Sequence, residues 1–150
     1  MAEEQVTQGD LDELVELLRE AASAYIGGEI RRYFALMQHA DDFTLMDPFG
    51  GETTRESGAG DERIAALEAM FRGGECELDV VQTYASGNLA VLVVVERQRG
   101  DVGDYPTQDW SLRVTLVFRR EDDVWHLVHR HADPLVHPIT FDQVSALARG

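Results

Sequence analysis

Ala40-Asp41-Asp42-Phe43-Thr44-Leu45-Met46-Asp47-Pro48-Phe49-Gly50-Gly51 is the stretch on which the reading of this chain depends. Asp41 and Asp42 close a helical segment. Phe43, Leu45 and Asp47 then alternate with Thr44, Met46 and Pro48, which is the period of a strand. Asp47 therefore shares a face with two large apolar residues, on the side of the strand that should look inward. Pro48 has no N–H and ends regular pairing, and Gly50-Gly51 lets the chain turn away. Two readings of Asp47 follow. It caps the turn through the neighbouring backbone, as Asx residues before Pro and Gly do, or it carries chemistry.

Upstream, Asp10 and Glu13 have capping-box spacing, and Leu11, Leu14, Val15, Leu18 and Ala22 follow at helical intervals, predicting a helix over 10–26. Gly27-Gly28 stops it, and Ile30, Tyr33, Phe34 and Met37 mark a second helix over 29–39. Residues 52–60 read as a polar loop. Asp61 caps a third helix with Ile64, Leu67, Met70 and Phe71 on its buried stripe, ended by Gly73-Gly74. From Glu75 the period becomes alternating, predicting strands over 75–86, 88–99, 109–120 and 124–132, with turns at Ser86-Gly87-Asn88 and Glu121-Asp122-Asp123 and a longer polar hairpin loop over 100–107. Thr140 and Gln143 form a second capping box before a short last helix. Helices followed by a meander of long strands predict an α+β fold: a curved antiparallel sheet wrapped around the N-terminal helices.

The 150 residues are the size of one domain, spanning 1–150, and 44% hydrophobic with 27% charged residues is a globular balance. A formal charge of −15 repels nucleic acid and anionic membrane surfaces, so neither is expected as a partner. No apolar run has bilayer length and Met1 to Gln8 is acidic and polar, which points to a cytoplasmic protein. Cys76 is the only cysteine, so no intrachain disulfide and no thiolate metal cage can form.

The order helix, helix, strand, helix and four long strands, with Ala-Asp-Asp-x-x-x-x-Asp-Pro-Phe-Gly before the third helix, resembles the ketosteroid isomerase and SnoaL-like polyketide cyclase branch of the nuclear transport factor 2-like superfamily. Arg113-x-Thr115, Trp125 and His129-x-His131-x-Asp133 are similar to the closing strands of the SnoaL-like proteins and of the association domain of calcium/calmodulin-dependent kinase II. The resemblance implies a cone-shaped α+β barrel. It leaves function open, since the superfamily holds isomerases, cyclases, dehydratases, epoxide hydrolases and non-catalytic assembly domains. It puts Asp47 where ketosteroid isomerases keep the general base that moves a proton next to a carbonyl. The tyrosine and the protonated aspartic acid that stabilise the enolate in those isomerases are matched here by Ala21 and Thr115, so steroid isomerisation is not expected.

If Thr115 faces the pocket, so do Arg113 and Val117, and on the preceding strand Val91, Val93, Val95 and Arg97 share one parity whose three valines suggest burial. Arg97 and Arg113 would then reach a cavity holding Asp47, which, or a bound anion, would compensate them. The alternative is that Arg97 lies beyond the core and Arg113 on the outer face. The other parity of the same strand, Trp110, Leu112, Val114, Leu116 and Phe118, is also apolar, so the second face calls for a cover, which makes a homodimer the expected assembly. Tyr25 and Tyr33 read as core with hydroxyls that can reach the cavity. His126, His129 and His131 lack an acidic or thiolate partner at ligand spacing, so no metal is expected, and without a phosphate-cradling loop no cofactor is implied. Two functions remain. One is a cofactor-independent isomerase, cyclase or dehydratase with Asp47 as general base on a carbonyl or hydroxylated ligand. The other is a binding or assembly module in which arginines grip an anion.

Overall fold

The computed structural model describes residues 5–150; the first four residues of the polar N-terminal stretch lie outside the described part. Helix α1 (Gln8–Ile26) opens two residues earlier than its apolar pattern suggests. Thr7 is the cap, with its hydroxyl accepting from the Asp10 N–H and the Asp10 carboxylate accepting from the Thr7 N–H. Asp10 is therefore the last residue of a capping box rather than its first. Leu11, Leu14, Leu18 and Ala21 form the stripe that α1 buries against the sheet. Each fully buried leucine of this kind contributes about 1.5–3 kcal/mol.

Helix α2 (Ile30–Leu36) is shorter than its pattern predicts, because strand β1 (His39–Met46) has already begun at His39. Helix α3 (Asp61–Met70) has Gly60 at its cap position, so Asp61 is its first residue and complements the dipole without a capping bond. Only Ile64 of its expected stripe is buried. Phe71 belongs instead to β2 (Phe71–Ser86), and Gly73-Gly74 lies inside that strand rather than ending the helix. The reason is steric. A Cβ on Gly74 would stand 2.6 Å from the Arg99 carbonyl oxygen and 2.7 Å from Ile26 Cγ1, so glycine lets the end of α1 rest directly on the ladder.

The sheet continues with β3 (Leu89–Val102), β4 (Gln108–Asp109), β5 (Leu112–Glu121) and β6 (Val124–Asp133), and helix α4 (Phe141–Arg149) follows. Its order is β1-β6-β5-β3-β2, with β4 beside β3; neighbours pair antiparallel except β1, which joins β6 in parallel. Asp122 and Asp123, at φ 51° and 62°, make the two-residue turn from β5 to β6. The sheet is curved and unclosed, and α1 and α2 fill its concave side. Among the described residues no helix is long and apolar enough to cross a membrane.

The register decides which side chains look inward. Val94 pairs with Val114 and Leu92 with Leu116, and Ala90, Leu92, Val94, Val114, Leu116 and Phe118 are all buried. The even-numbered residues of β3 and β5 therefore face the helices. The expectation that Arg97, Arg113 and Thr115 point into the cone is corrected: all three are exposed on the opposite face. Leucine and phenylalanine on the even parity fill the volume under α1, which the shorter odd-numbered valines cannot.

Candidate functional site

Inside the cone, α1, α2, β1 and the start of β2 place their aromatic side chains in a row. Tyr25 meets Tyr33 edge-to-face at 5.0 Å and Phe71 at 4.9 Å; Tyr33 meets Phe34 at 5.1 Å, and Phe34 meets His39 at 5.7 Å. His39 stacks on Phe43 at 3.8 Å. Neither tyrosine hydroxyl has a hydrogen-bond partner among the described residues.

Across from this row lies an ion pair that the sequence pattern did not reveal. Glu96 of β3 is 3% exposed, sharing the inward parity with Leu92 and Val94. Arg130 of β6 pairs with Leu116 and Leu45 in the ladders, so it too points inward. Its guanidinium donates to both Glu96 oxygens, Nη1 to Oε2 at 2.8 Å and Nη2 to Oε1 at 2.7 Å. Burial works against the Arg130 charge, yet the Glu96 carboxylate, by charge and hydrogen bonds, more than offsets it and holds the pKa above the ordinary arginine value. The available signal was a glutamate on the apolar parity of β3 and an arginine on the parity of Ala132.

Burial also sets the protonation of the neighbours. It pushes Tyr33 up to about 12, with Arg130 opposing, and it raises Tyr25, with Arg130 and Arg63 opposing and Glu96 and Asp47 adding. The Cys76 thiol rises to about 12 for the same reason. His39 falls to about 4, through burial and then the nearby Arg63 charge. Its Nδ1 accepts from the Gly58 N–H at 2.8 Å, which leaves the proton on Nε2, a buried atom without a partner. At neutral pH the interior thus holds one compensated ion pair and several neutral donors.

Asp47 is half-buried just past the end of β1. Its Oδ1 accepts from the Phe49 N–H at 3.0 Å, and its carbonyl accepts from Gly50 N–H at 3.2 Å, an Asx turn. Among the described residues it forms no ion pair, and its charge acts on the Tyr25 hydroxyl.

The remaining expected site residues are elsewhere. Arg113 donates to both oxygens of Asp133 at 2.9 and 3.0 Å on the outer face. Arg97 meets Asp79 at 3.4 Å and borders an open groove of about 450 Å³ that Arg99, Glu75, Glu77 and Asp109 also line. Thr115 pairs with His131 in the ladder, exposed on the same face. His129 Nδ1 is bonded to the Thr44 hydroxyl at 2.8 Å. Among the described residues no three His, Cys, Asp or Glu are grouped to hold a metal.

Residues 14–136 match the SnoaL-like domain family. The chain belongs to that family. No curated protein matches it. Among solved structures, this SnoaL-like chain is similar to an NTF2-like protein of unknown function from Pseudomonas putida KT2440, with TM-score 0.66 and 21% identity over 92% of this chain and 93% of the other. It is also similar to a candidate dehydratase of the NTF2-like family from Streptomyces avermitilis, with TM-score 0.64 and 24% identity over 87% and 100% of the two chains. The hub homology domain of a Chlamydomonas reinhardtii CaMKII relative aligns with TM-score 0.63 and 16% identity over 82% and 96%. At these identities the likeness establishes the curved-sheet fold of the SnoaL-like chain and leaves its chemistry to its own residues.

Proposed function

We propose that this SnoaL-like protein takes a small neutral ligand bearing a carbonyl or hydroxyl group into its cone, and that Asp47 acts on it as general base. The observation that carries the reading is the state of Asp47. One carboxylate oxygen is held by the Phe49 N–H, which fixes the group's direction, and no arginine neutralises it among the described residues. Tyr25, whose hydroxyl feels the Asp47 charge, is kept protonated by burial. In the proposed step Asp47 takes a proton from the carbon next to a carbonyl, and the electron pair moves to the oxygen, which accepts a hydrogen bond from Tyr25 or Tyr33. Return of the proton to another carbon is an isomerisation; loss of a β-hydroxyl as water is a dehydration. Arg130 does not serve as an anion clamp, because Glu96 already occupies its fork. A neutral ligand is therefore favoured over a carboxylate. The second reading, a binding module without turnover, draws on the same Asx turn, which gives Asp47 a purely structural reason to exist.

The outer sheet face, with Val91, Val93, Val95 and Val117 half-buried and Tyr84 56% exposed, supports a homodimer in which a second copy covers it. The ligand reading is tested by thermal shift against a panel of neutral ketones and enones and their carboxylate analogues, with wild type and Tyr25→Phe. Stabilisation by neutral compounds that weakens in Tyr25→Phe is expected. Stabilisation by carboxylates alone would overturn it.

A further inference from the structure

We propose that Arg130, held by Glu96, is a positioning residue whose pair turns its cationic end toward the Tyr33 hydroxyl. Negative charge that develops on a ligand oxygen at that hydroxyl is then stabilised by an oriented dipole rather than by a free ion. The inference rests on the reading of the cone as a ligand site and adds what singles out Tyr33 as the donor. A buried ion pair calls for a reason beyond packing, because two apolar side chains of similar size would serve the core at least as well.

Topology sets the direction of the dipole. The aromatic row crosses the cone from Phe71 on β2, through Tyr25, Tyr33 and Phe34, to His39 and Phe43 on β1. The ion pair runs the same way. In the strand order β1-β6-β5-β3-β2, Glu96 on β3 stands beside the β2 end of the row, and Arg130 on β6 beside the β1 end. Arg130 is opposite Leu45 in the β1 ladder, and Asp47 follows Leu45 by two residues, about 7 Å of extended chain. The cation thus belongs to the part of the sheet that carries Asp47, with its counter-ion across β5. The tyrosines follow this order. Among the charges that act on Tyr33, the pull of Arg130 exceeds the push of Glu96. The same holds at Tyr25, but there Asp47 adds a push of its own, which makes Tyr33 the better seat for a developing oxyanion.

The proposed chemistry gives such a dipole its use. When the C–H bond next to a carbonyl breaks, Asp47 gains the proton and loses its charge, and the electron pair ends on the oxygen. In a water-poor interior that movement of charge is costly unless a fixed dipole is already aimed at its destination. An unpaired arginine would supply the field but would also hold carboxylates in the ground state. Pairing with Glu96 closes the fork to anions and leaves the field, so a neutral ligand enters and its enolate is the form that is favoured.

The test uses 4-nitrophenol, a neutral phenol whose ionised form absorbs in the visible, so that the bound probe reports its own ionisation. It needs no base, and Asp47 chemistry does not enter. Wild type is compared with Tyr33→Phe, Glu96→Gln and Arg130→Met/Glu96→Leu, each checked for native circular dichroism. The acid constant of the bound probe should fall about tenfold, one pKa unit, in the apolar double variant and rise in Glu96→Gln, which removes the opposing charge. Tyr33→Phe should lower it as well. Opposite signs in the two pair variants cannot come from loosened packing, and if the double variant does not fold, the sign in Glu96→Gln decides. An acid constant that stays unchanged in the double variant, fails to rise in Glu96→Gln or ignores Tyr33→Phe overturns the dipole and leaves the Asp47 reading standing. A chain that takes up no 4-nitrophenol overturns it too. Ketone turnover that survives in Asp47→Asn while the probe shifts as expected removes the base and keeps the dipole.

Discussion

Arg130 and Glu96 meet as a two-bond fork inside the cone, 34 residues apart in sequence and on strands separated by β5. Their side chains are 17% and 4% exposed, so each charge depends on the other for the solvation that it gave up. Such a pair is weak evidence of stability, because the cost of desolvating two ions roughly cancels their attraction. Its asymmetry is what can be measured. Removing one member by Arg130→Met or Glu96→Leu strands a buried charge and should cost about 3–5 kcal/mol, whereas the double replacement should recover most of that loss. Urea unfolding of the three variants checks it. Equal, additive losses would mean that the pair is solvated.

Asp47 separates the catalytic reading from the structural one. Asn keeps the Asx turn, so Asp47→Asn should unfold like wild type, while Asp47→Ala should lose about 1 kcal/mol with the cap. If Asp47 is the base, any turnover found with a neutral ketone should fall by about 10²–10⁴-fold in the Asn variant. Turnover that survives in Asp47→Asn moves the base elsewhere.

His39 makes stability depend on pH in a known direction. Its folded pKa, near 4, lies below the ordinary histidine value of about 6.5. Below about pH 6.5 the unfolded chain binds the proton more readily, so the His39 contribution is complete above that pH and is lost as pH falls toward 4. Carboxylates act lower: Asp10 is held below the usual range by the Thr7 N–H and Arg120, and Asp133 by Arg113. His39→Asn can still accept from the Gly58 N–H. It should flatten the fall in melting temperature between pH 6.5 and 4.5 and leave the fall below pH 4 in place.

Gly74→Ala tests the close approach of α1 to the sheet. The new Cβ would collide with the Arg99 backbone carbonyl, which cannot rotate away, as well as with Ile26. A loss of about 1–3 kcal/mol is expected from overpacking. Gly60→Ala, which meets nothing within 4 Å, should change stability by less than about 0.5 kcal/mol. Equal effects of the two would mean that the ladder relaxes.

The sequence by itself determined the order of the long elements, because most of their signals are written in local chemistry, though not where α2 and α3 end. The capping box at Thr140, the leucine stripe of α1, the turn at Asp122-Asp123 and the alternation from Glu75 onward need no distant residue to be read. It also put Phe43 and Leu45 on one face of β1, with Asp47 just past its end. The side of β3 that looks inward was decided only by the tertiary structure. Val91, Val93 and Val95 are as apolar as Ala90, Leu92 and Val94, so alternation alone is symmetric between the two faces. The symmetry is broken by register with β5, where Leu116 and Phe118 fill the volume beneath α1, and this turns Arg97, Arg113 and Thr115 outward. The same choice carries Glu96 inward to a partner on β6. Pairing across that distance is a property of the folded sheet and leaves no periodic trace in the chain.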